Sequence, residues 1–336
     1  MKQHEEAPMS ELDSRLAALS PEKRKLVELL QRQRAAAAAP APKPPEAPVP
    51  TEPRLLDGER FALDSGTIRD QEVIRDFYDT VNRQLDATSF GEHALFLNYG
   101  YVPNDSPQYS RVRLPENYLN KNGTRLVLEL LGDCELREEH AVLDVGCGRG
   151  GVCAVLRRFF QVGRYVGLDL SPAAIAFSGR THRDARNEFL VGKADALPFG
   201  DEAFDMVTNV ESSHGYPDIA AFYREVHRVL RPGGCFLYTD ILPVEQVEES
   251  TRLLRELGFV VERELDITGN VLLSCDETAA VHRRAFLRDN DSKVMETFLA
   301  EPDSRPYQEM KSGRARYMLY RFRKPGSGAH EGRAEG

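Results

Sequence analysis

The chain has no tryptophan, only five cysteines in 336 residues, and no apolar run approaching the ~20 residues needed to cross a bilayer. The cysteines (Cys134, Cys147, Cys153, Cys235 and Cys275) are odd in number and contain no C-x-x-C pair. Neither a disulfide framework nor a zinc site is indicated, and no metal is expected; the thiols read as small apolar core groups. A basic block is also missing. With a formal net charge of -9, the chain offers no footprint for a nucleic-acid backbone. The opening "MKQHEEAPMSELDSRL" lacks the apolar core of a secretory signal, so the expected location is cytoplasmic. What remains, 41% apolar and 29% charged, suits one large globular domain with appendages.

Residues 1–34 read as an amphipathic helical segment. Ser10 and Ser20 are candidate N-caps, Pro21 suits a first helical turn, and Leu12, Leu16, Leu19, Leu26 and Leu30 share a stripe. Such a stripe either folds back on its own body or docks on a partner. An Ala/Pro-rich linker over 35–54 follows. Over 69–87, Val73, Ile74, Phe77, Val81 and Leu85 fall on one helical face, and a further helix is expected over 116–131. Together 55–140 form a helical layer ahead of the regular part of the chain.

From Ala141 apolar runs recur at 141–146, 165–170, 188–194, 204–210, 235–242 and 259–265. Helical stretches separate the successive runs up to 259–265, apart from "ALPFGDEA" before the fourth run. A last run at 315–323 is expected to close the sheet as an added strand, after a helical insertion near 274–312. This alternation predicts an α/β fold, a doubly wound, mostly parallel seven-stranded sheet with helices on both faces. The tail over 324–336 is expected to be disordered.

"LDVGCGRGG" occupies the first strand-to-helix turn, where Gly146 and Gly148 permit a tight turn and close approach of a ligand to backbone N–H groups. Gly146-x-Gly148-x-x-Gly151 alone also satisfies the dinucleotide fingerprint. Asp144 decides between them: a carboxylate repels a pyrophosphate and attracts an ammonium or sulfonium, and S-adenosylmethionine carries both. Asp169 ends the second strand, about 20 residues further on, where a carboxylate meets ribose hydroxyls. Asp195 follows the third strand, placed to reach the adenine amino group, with Ala196 and Leu197 beside the ring. Leu170 and Asn209 complete the expected cofactor wall.

"LDVGCGRGG", "GLDLS", "ADALPF…FD" and "EVHRVLRPGG" stand in the order found in class I S-adenosylmethionine-dependent methyltransferases, and the chain resembles that family over about 115–323. The resemblance implies a Rossmann-like core under an N-terminal helical lid. It also implies that Asp144, Gly146 and Gly148 hold the methionine end, Asp169 the ribose, and Asp195 with Ala196 the adenine. "RPGG" (Arg231–Gly234) is then a structural turn into the fifth strand.

The stretch "NVESSHGYPD" (209–218) ends the fourth strand, at the mouth of the cleft where ligands of such sheets bind. Methyl transfer to an alcohol needs a base, and His214 near its ordinary pKa of ~6.5 suits that task. Glu211 is expected to accept the other ring N–H and to fix the tautomer. This stretch, with an "NYGY" segment (Asn98–Tyr101) ahead of the glycine turn, resembles small-molecule O-methyltransferases of polyketide, peptide and complex-lipid assembly, phthiotriol-type enzymes among them. There His214 is the base, and Tyr99 and Tyr101 of the lid approach cofactor or substrate; Tyr78 on the preceding helix is expected to face the substrate too. The segment before the linker resembles the opening of nonribosomal peptide and polyketide assembly-line proteins, which implies a carrier-bound or released acceptor and an assembly-line partner for residues 10–34. Two other readings stay open: a C-methyltransferase of sterol or tocopherol type, with Glu211 stabilising positive charge, and a non-catalytic carrier-binding module.

Overall fold

The apolar runs become strands β1 (Ala141–Val145), β2 (Arg164–Asp169), β3 (Asn187–Val191), β4 (Phe204–Val210), β5 (Leu230–Pro243), β6 (Val260–Asp266) and β7 (Ala315–Arg323). The computed structural model describes residues 70–88, 90–105, 107–285 and 298–326. In it the strands form one sheet in the order β3-β2-β1-β4-β5-β7-β6. The first five strands are mutually parallel, and β7 runs antiparallel to both β5 and β6. The last strand therefore does not close an edge, as expected, but is inserted between β5 and β6. The doubly wound Rossmann-like arrangement is otherwise as the alternation implies.

Eight described helices flank or precede the sheet: α1 (Gln71–Asp86), α2 (Lys121–Leu131), α3 (Gly151–Phe159), α4 (Pro172–Thr181), α5 (Ile219–Val229), α6 (Val244–Glu256), α7 (Thr268–Ala285) and α8 (Arg305–Ser312). Asp70 caps α1 by accepting from Glu72 N, and Ser171 and Asp218 cap α4 and α5 in the same way. The helix expected from residue 116 starts later, because Asn120 sits in the left-handed region (φ 56°) and its amide donates to His93 O. The insertion begins at Thr268 rather than 274. Lys324 is no tail residue: its Nζ donates to the carbonyls of His227 and Leu230. The expected helical segment over 1–34, the linker over 35–54 and residues 327–336 lie outside the described residues. Among the described residues, no helix is long and apolar enough to cross a membrane.

Period-two alternation divides the buried side chains between two cores. Along β5, Cys235, Leu237 and Ile241 join α2, α3 and α7 on one face, while Phe236, Tyr238 and Leu242 join α5 and α6 on the other. Rings of Phe236, Tyr238, Tyr320 and Phe322 stack across β5 and β7 at centroid distances of 5.2–6.1 Å. A polar residue in such a strand must therefore be paired or at the strand's end, which is where the acids below are found.

One cation ties the N-terminal helices to the glycine turn. Arg149, fully buried, donates to Ala94 O (2.7 Å), Gly91 O (2.7 Å), Asn82 Oδ1 (3.2 Å) and Asp86 Oδ1 (2.8 Å). Its guanidinium lies 3.4 Å from the centroid of the Phe177 ring. Replacing it by an apolar side chain strands two carbonyls and an amide. Arg149→Met is therefore expected to lower stability by about 3 kcal/mol in urea unfolding, and to raise amide exchange in α1 ahead of the sheet. A loss under about 0.5 kcal/mol, the range of an ordinary surface substitution, would show that the clamp carries no net stability.

Candidate active site

β1 runs into the glycine turn, where Gly146 (φ 73°), Gly148 (φ 50°) and Gly150 (φ 78°) all have left-handed backbones. A Cβ on Gly146 would fall 2.0 Å from Ser212 Oγ and 2.8 Å from Tyr216 Oη, so the position requires glycine on two counts. The turn is held by an acid. Asp169 accepts from Gly148 N and Ser171 N, each at 2.8 Å, and so links the end of β2 to the turn. Burial nevertheless pushes its pKa up, against those two bonds.

Asp144 lies inside the sheet, 1% exposed, with a neighbour from the strand on either side. Tyr165 Oη of β2 donates to one oxygen and Thr208 Oγ1 of β4 to the other, both at 2.8 Å. Burial outweighs both bonds and raises its pKa to about 7. Asp195, after β3, accepts from Gln71 Nε2 of α1 at 2.7 Å. Gly146, Gly148, Asp144, Asp169, Leu170 and Asp195 all line one cavity at the carboxyl ends of the parallel strands, as do Tyr78 and Tyr99. Apolar walls come from Ile74, Phe77, Leu95, Leu97 and Phe298.

His214 and Glu211 line the same cavity, but they are not partners in the expected way. His214 Nδ1 lies 2.7 Å from Asp240 Oδ1, and its backbone N–H donates to Asp240 Oδ2 at 3.0 Å. Asp240, fully buried near the end of β5, also accepts from Ser213 Oγ (2.6 Å) and Ile241 N (2.8 Å). The parallel pairing of β4 with β5 makes this contact: Val210 faces Thr239, so the turn after β4 falls beside Asp240. A carboxylate at Nδ1 requires that nitrogen to carry the proton, which leaves Nε2 as the basic atom. Burial works against the imidazolium, but the Asp240 charge and hydrogen bond outweigh it, and the pKa of His214 is raised.

Glu211 instead braces the cavity wall. Its Oε2 accepts from Tyr99 N (2.9 Å) and Tyr317 Oη (2.5 Å), and Ser274 Oγ donates to Tyr99 O at 2.7 Å. Glu211 sits at φ 49°, an uncommon conformation for a residue with a Cβ. Burial drives its pKa to about 8 despite both donors.

Four expected residues stand elsewhere. Ala196 is exposed and outside the cavity wall, and Leu197 is buried in the core with its N–H on Glu225; Gly192, Lys193 and Ala194 line the wall beside Asp195 instead. Tyr101 is a core residue, 2% exposed, because its backbone N–H donates to Asn122 O and draws it under α2. Asn209 is fully buried behind the wall, where its amide donates to Val145 O and Tyr216 Oη. Tyr317, Gln71 and Arg149 were not legible as site residues from the pattern, and Asp240 was not read as the partner of His214. An acid inside the apolar run "CFLYTDIL" was the one available signal, since a buried carboxylate needs a partner.

The cavity is suited to a cationic ligand. Asp144, Asp169, Asp195 and Glu211 line it, against Arg149, whose bonds are all to the protein, the exposed Lys193, and the Asp240-paired His214. The residues present thus fit a nucleoside that carries a sulfonium and an ammonium better than one that carries a pyrophosphate.

Residues 143–238 match the family described as a methyltransferase domain. The chain is 37% identical over 244 residues to a fatty-acid O-methyltransferase of Mycolicibacterium smegmatis, covering 70% of this chain and 85% of that protein. It is 43% identical over 229 residues to a probable phthiotriol/phenolphthiotriol dimycocerosates methyltransferase 2 of Mycobacterium ulcerans, covering 65% and 84%. Among solved structures it shares its fold with the cyclase SpnF (TM-score 0.60, 22% identity, 76% and 96% covered). It shares it also with a geranyl diphosphate C-methyltransferase of Streptomyces coelicolor (TM-score 0.56, 20% identity, 76% and 97% covered). A cyclase and a methyltransferase on one fold mean that the fold does not choose the reaction, and the family rests on the sequence relatives. At 37% identity across 85% of a methyltransferase, the chain belongs to the class I S-adenosylmethionine-dependent methyltransferases and takes its methyl group from S-adenosylmethionine.

Proposed function

We propose that the enzyme methylates a hydroxyl group on an apolar, lipid-like or polyketide-like acceptor, with His214 as general base and Asp240 as its orienting acid. The observation that carries this reading is the 2.7 Å contact between His214 Nδ1 and a buried carboxylate, in a cavity with apolar walls. S-adenosylmethionine supplies an electrophilic methyl group on a sulfonium that leaves readily. The chain's own tasks are to align the acceptor oxygen, keep water out and take the proton. His214 Nε2 takes it, and Asp240 stabilises the imidazolium that results. Asp144 would face the positively charged end of the cofactor, Asp169 the ribose hydroxyls and Asp195 the adenine amino group, in exchange for Gln71. Helix α1 and the loop around Tyr99 would serve as the lid, with Glu211 bracing it.

Both relatives named above support an apolar acceptor, but a fatty acid offers an anionic carboxylate. Such an anion needs no base and would meet Asp169 and Asp195 in a cavity of low dielectric. A neutral hydroxyl avoids that repulsion and uses the histidine. The carbon-acceptor reading asks Glu211 to hold a full negative charge, yet a pKa near 8 leaves it mostly protonated at neutral pH.

Three outcomes are expected. His214→Ala should bind S-adenosylmethionine with unchanged affinity in calorimetry and lose about 10²–10⁴-fold in kcat on a hydroxylated lipid acceptor. Equal turnover by the variant, or a wild type that turns over only carboxylates, removes the base from the mechanism. Asp169→Ala should instead weaken cofactor binding by roughly tenfold or more, since a charged hydrogen-bond acceptor for the ribose and for Gly148 N is lost. The pH profile gives the sign. Only the neutral imidazole is a base, so kcat should rise with pH through a value above 6.5, the raised pKa of His214. Asp240→Asn removes the charge that raises it and should move that limb to lower pH with a lower plateau. A flat profile between pH 5.5 and 8.5 would point to an acceptor that arrives already ionised.

A further inference from the structure

Asp79, next to Tyr78 on α1, does not line the cavity. Its Oδ1 accepts two hydrogen bonds from the segment that follows β2, one from Ser171 Oγ and one from Ala173 N at 3.2 Å. Ser171 is fully buried, and its own N–H donates to Asp169 Oδ1 at 2.8 Å. Two bonds through one serine thus join a carboxylate on α1 to the acid at the end of β2. We propose that Asp79 is a positioning residue for the cofactor: through Ser171 it holds Asp169 where, on the reading of Asp169 given above, that acid meets the ribose hydroxyls.

The serine hydroxyl has a single proton, and Asp79 takes it. The lone pairs of Ser171 Oγ are then turned toward Ala174 N, 3.1 Å away, where they cap α4. With its side chain held from both sides, the backbone of Ser171 is fixed as well, and its N–H points at Asp169. The link continues into the glycine turn. Asp169 Oδ2 accepts from Gly148 N at 2.8 Å, and Ser178 Oγ of α4 donates to Gly148 O at 2.9 Å. Both polar groups of the Gly148 backbone therefore depend on where α4 sits, and Asp79 ties the start of α4 to α1. Asp169 keeps room for a ligand after its two bonds, because a carboxylate offers about four lone-pair sites.

A tie between two helices made by apolar contact would avoid a repulsion that this one accepts. Burial raises the pKa of Asp169 most, and the charge of Asp79 adds to that rise. What an apolar side chain lacks is one oxygen able to accept from a hydroxyl and an amide together. An asparagine carbonyl can do the same without the charge, so hydrogen-bond geometry carries the role.

The test is calorimetric titration of the full chain with S-adenosylmethionine and with its 2′,3′-dideoxy analogue, which keeps the adenine and the sulfonium but offers Asp169 no hydroxyl. Asp79→Ala should bind S-adenosylmethionine about fivefold or more weakly than the wild type, the worth of one hydrogen bond, while its affinity for the analogue stays within about twofold. Asp79→Asn should return S-adenosylmethionine binding to within about threefold of the wild type, since both accepted bonds are kept. In an Asp169→Ala background, Asp79→Ala should add less than about twofold, because the two residues act on one contact. A merely loosened α1 would weaken both ligands alike, since Gln71 and Ile74 on it line the part of the cavity they share. Equal losses for the two ligands, independent losses in the double variant, or an asparagine as weak as the alanine would each overturn the proposal. So would full affinity in Asp79→Ala while Asp169→Ala binds weakly. Full affinity in Asp169→Ala removes the ribose assignment itself, and the proposal falls with it. If Asp79→Ala does not fold, Ser171→Ala cuts the same link from the other side and must show the same difference between the two ligands.

Discussion

Burying negative charge at one edge of the sheet is the constraint to which the rest of this structure answers. Asp144, Asp169, Glu211 and Asp240 all end at the carboxyl edge of the parallel strands, and an unpaired buried carboxylate costs several kcal/mol. Asp240 is fully compensated, by His214 through ring and backbone, Ser213 and Ile241. Asp144 is not. Two hydroxyls leave its pKa at about 7 instead of 3.8, roughly 4 kcal/mol against the charged form. Glu211 is in the same position at about 8. Both under-compensated acids face the cavity, so the shortfall sits where a cationic cofactor would relieve it. The fold thus spends stability on its binding site, and the bound sulfonium would return it.

The same economy governs how α1 is held. Arg149 grips its carboxyl-terminal half through Asn82 and Asp86, and Asp79 accepts from Ser171 Oγ and Ala173 N at the start of α4. The amino-terminal end is held at the cavity by one hydrogen bond, from Gln71 to Asp195. A net contribution of about 1 kcal/mol for such a bond, against two bonds from a buried guanidinium and two to Asp79, leaves the Gln71 end the more weakly held. That end also covers the acid proposed to receive the adenine amino group. If Asp195 receives the adenine amino group, ligand entry would have to displace Gln71, while the arginine beside the glycine turn would keep the helix attached.

Much of this was legible in the sequence because it rests on local rules. A glycine turn after an apolar strand and acids at successive strand ends fixed Asp144, Gly146, Gly148, Asp169 and Asp195 at one cavity, since strand direction alone puts those ends together. What failed was contact between strands distant in the chain. Ala196 and Leu197 looked equivalent to Asp195 by proximity, but the short Lys193–Ala196 bridge turns the chain and sends Leu197 into the core. Asn209 ends a strand as Glu211 does, yet it points behind the wall. Asp240 was visible as a lone acid in an apolar run, and only the β4–β5 register reveals that it faces His214. The place of β7 was hidden for the same reason: nothing in an alternating run says which two strands will flank it.

The separation of Glu211 from His214 changes the chemistry more than any other correction. Had Glu211 oriented the imidazole, one acid would have had to hold the lid loop, stay charged and stabilise the imidazolium. Two acids divide these tasks. Asp240 holds Nδ1 of His214 together with Ser213 and two backbone N–H groups, while Glu211 ties Tyr99 of the loop to Tyr317 of β7. Different environments act on the two groups: the Asp240 carboxylate favours the imidazolium of His214, while burial favours the neutral form of Glu211. His214 sits at the end of β4, where the turn reaches both the cavity and the buried acid on the adjacent strand.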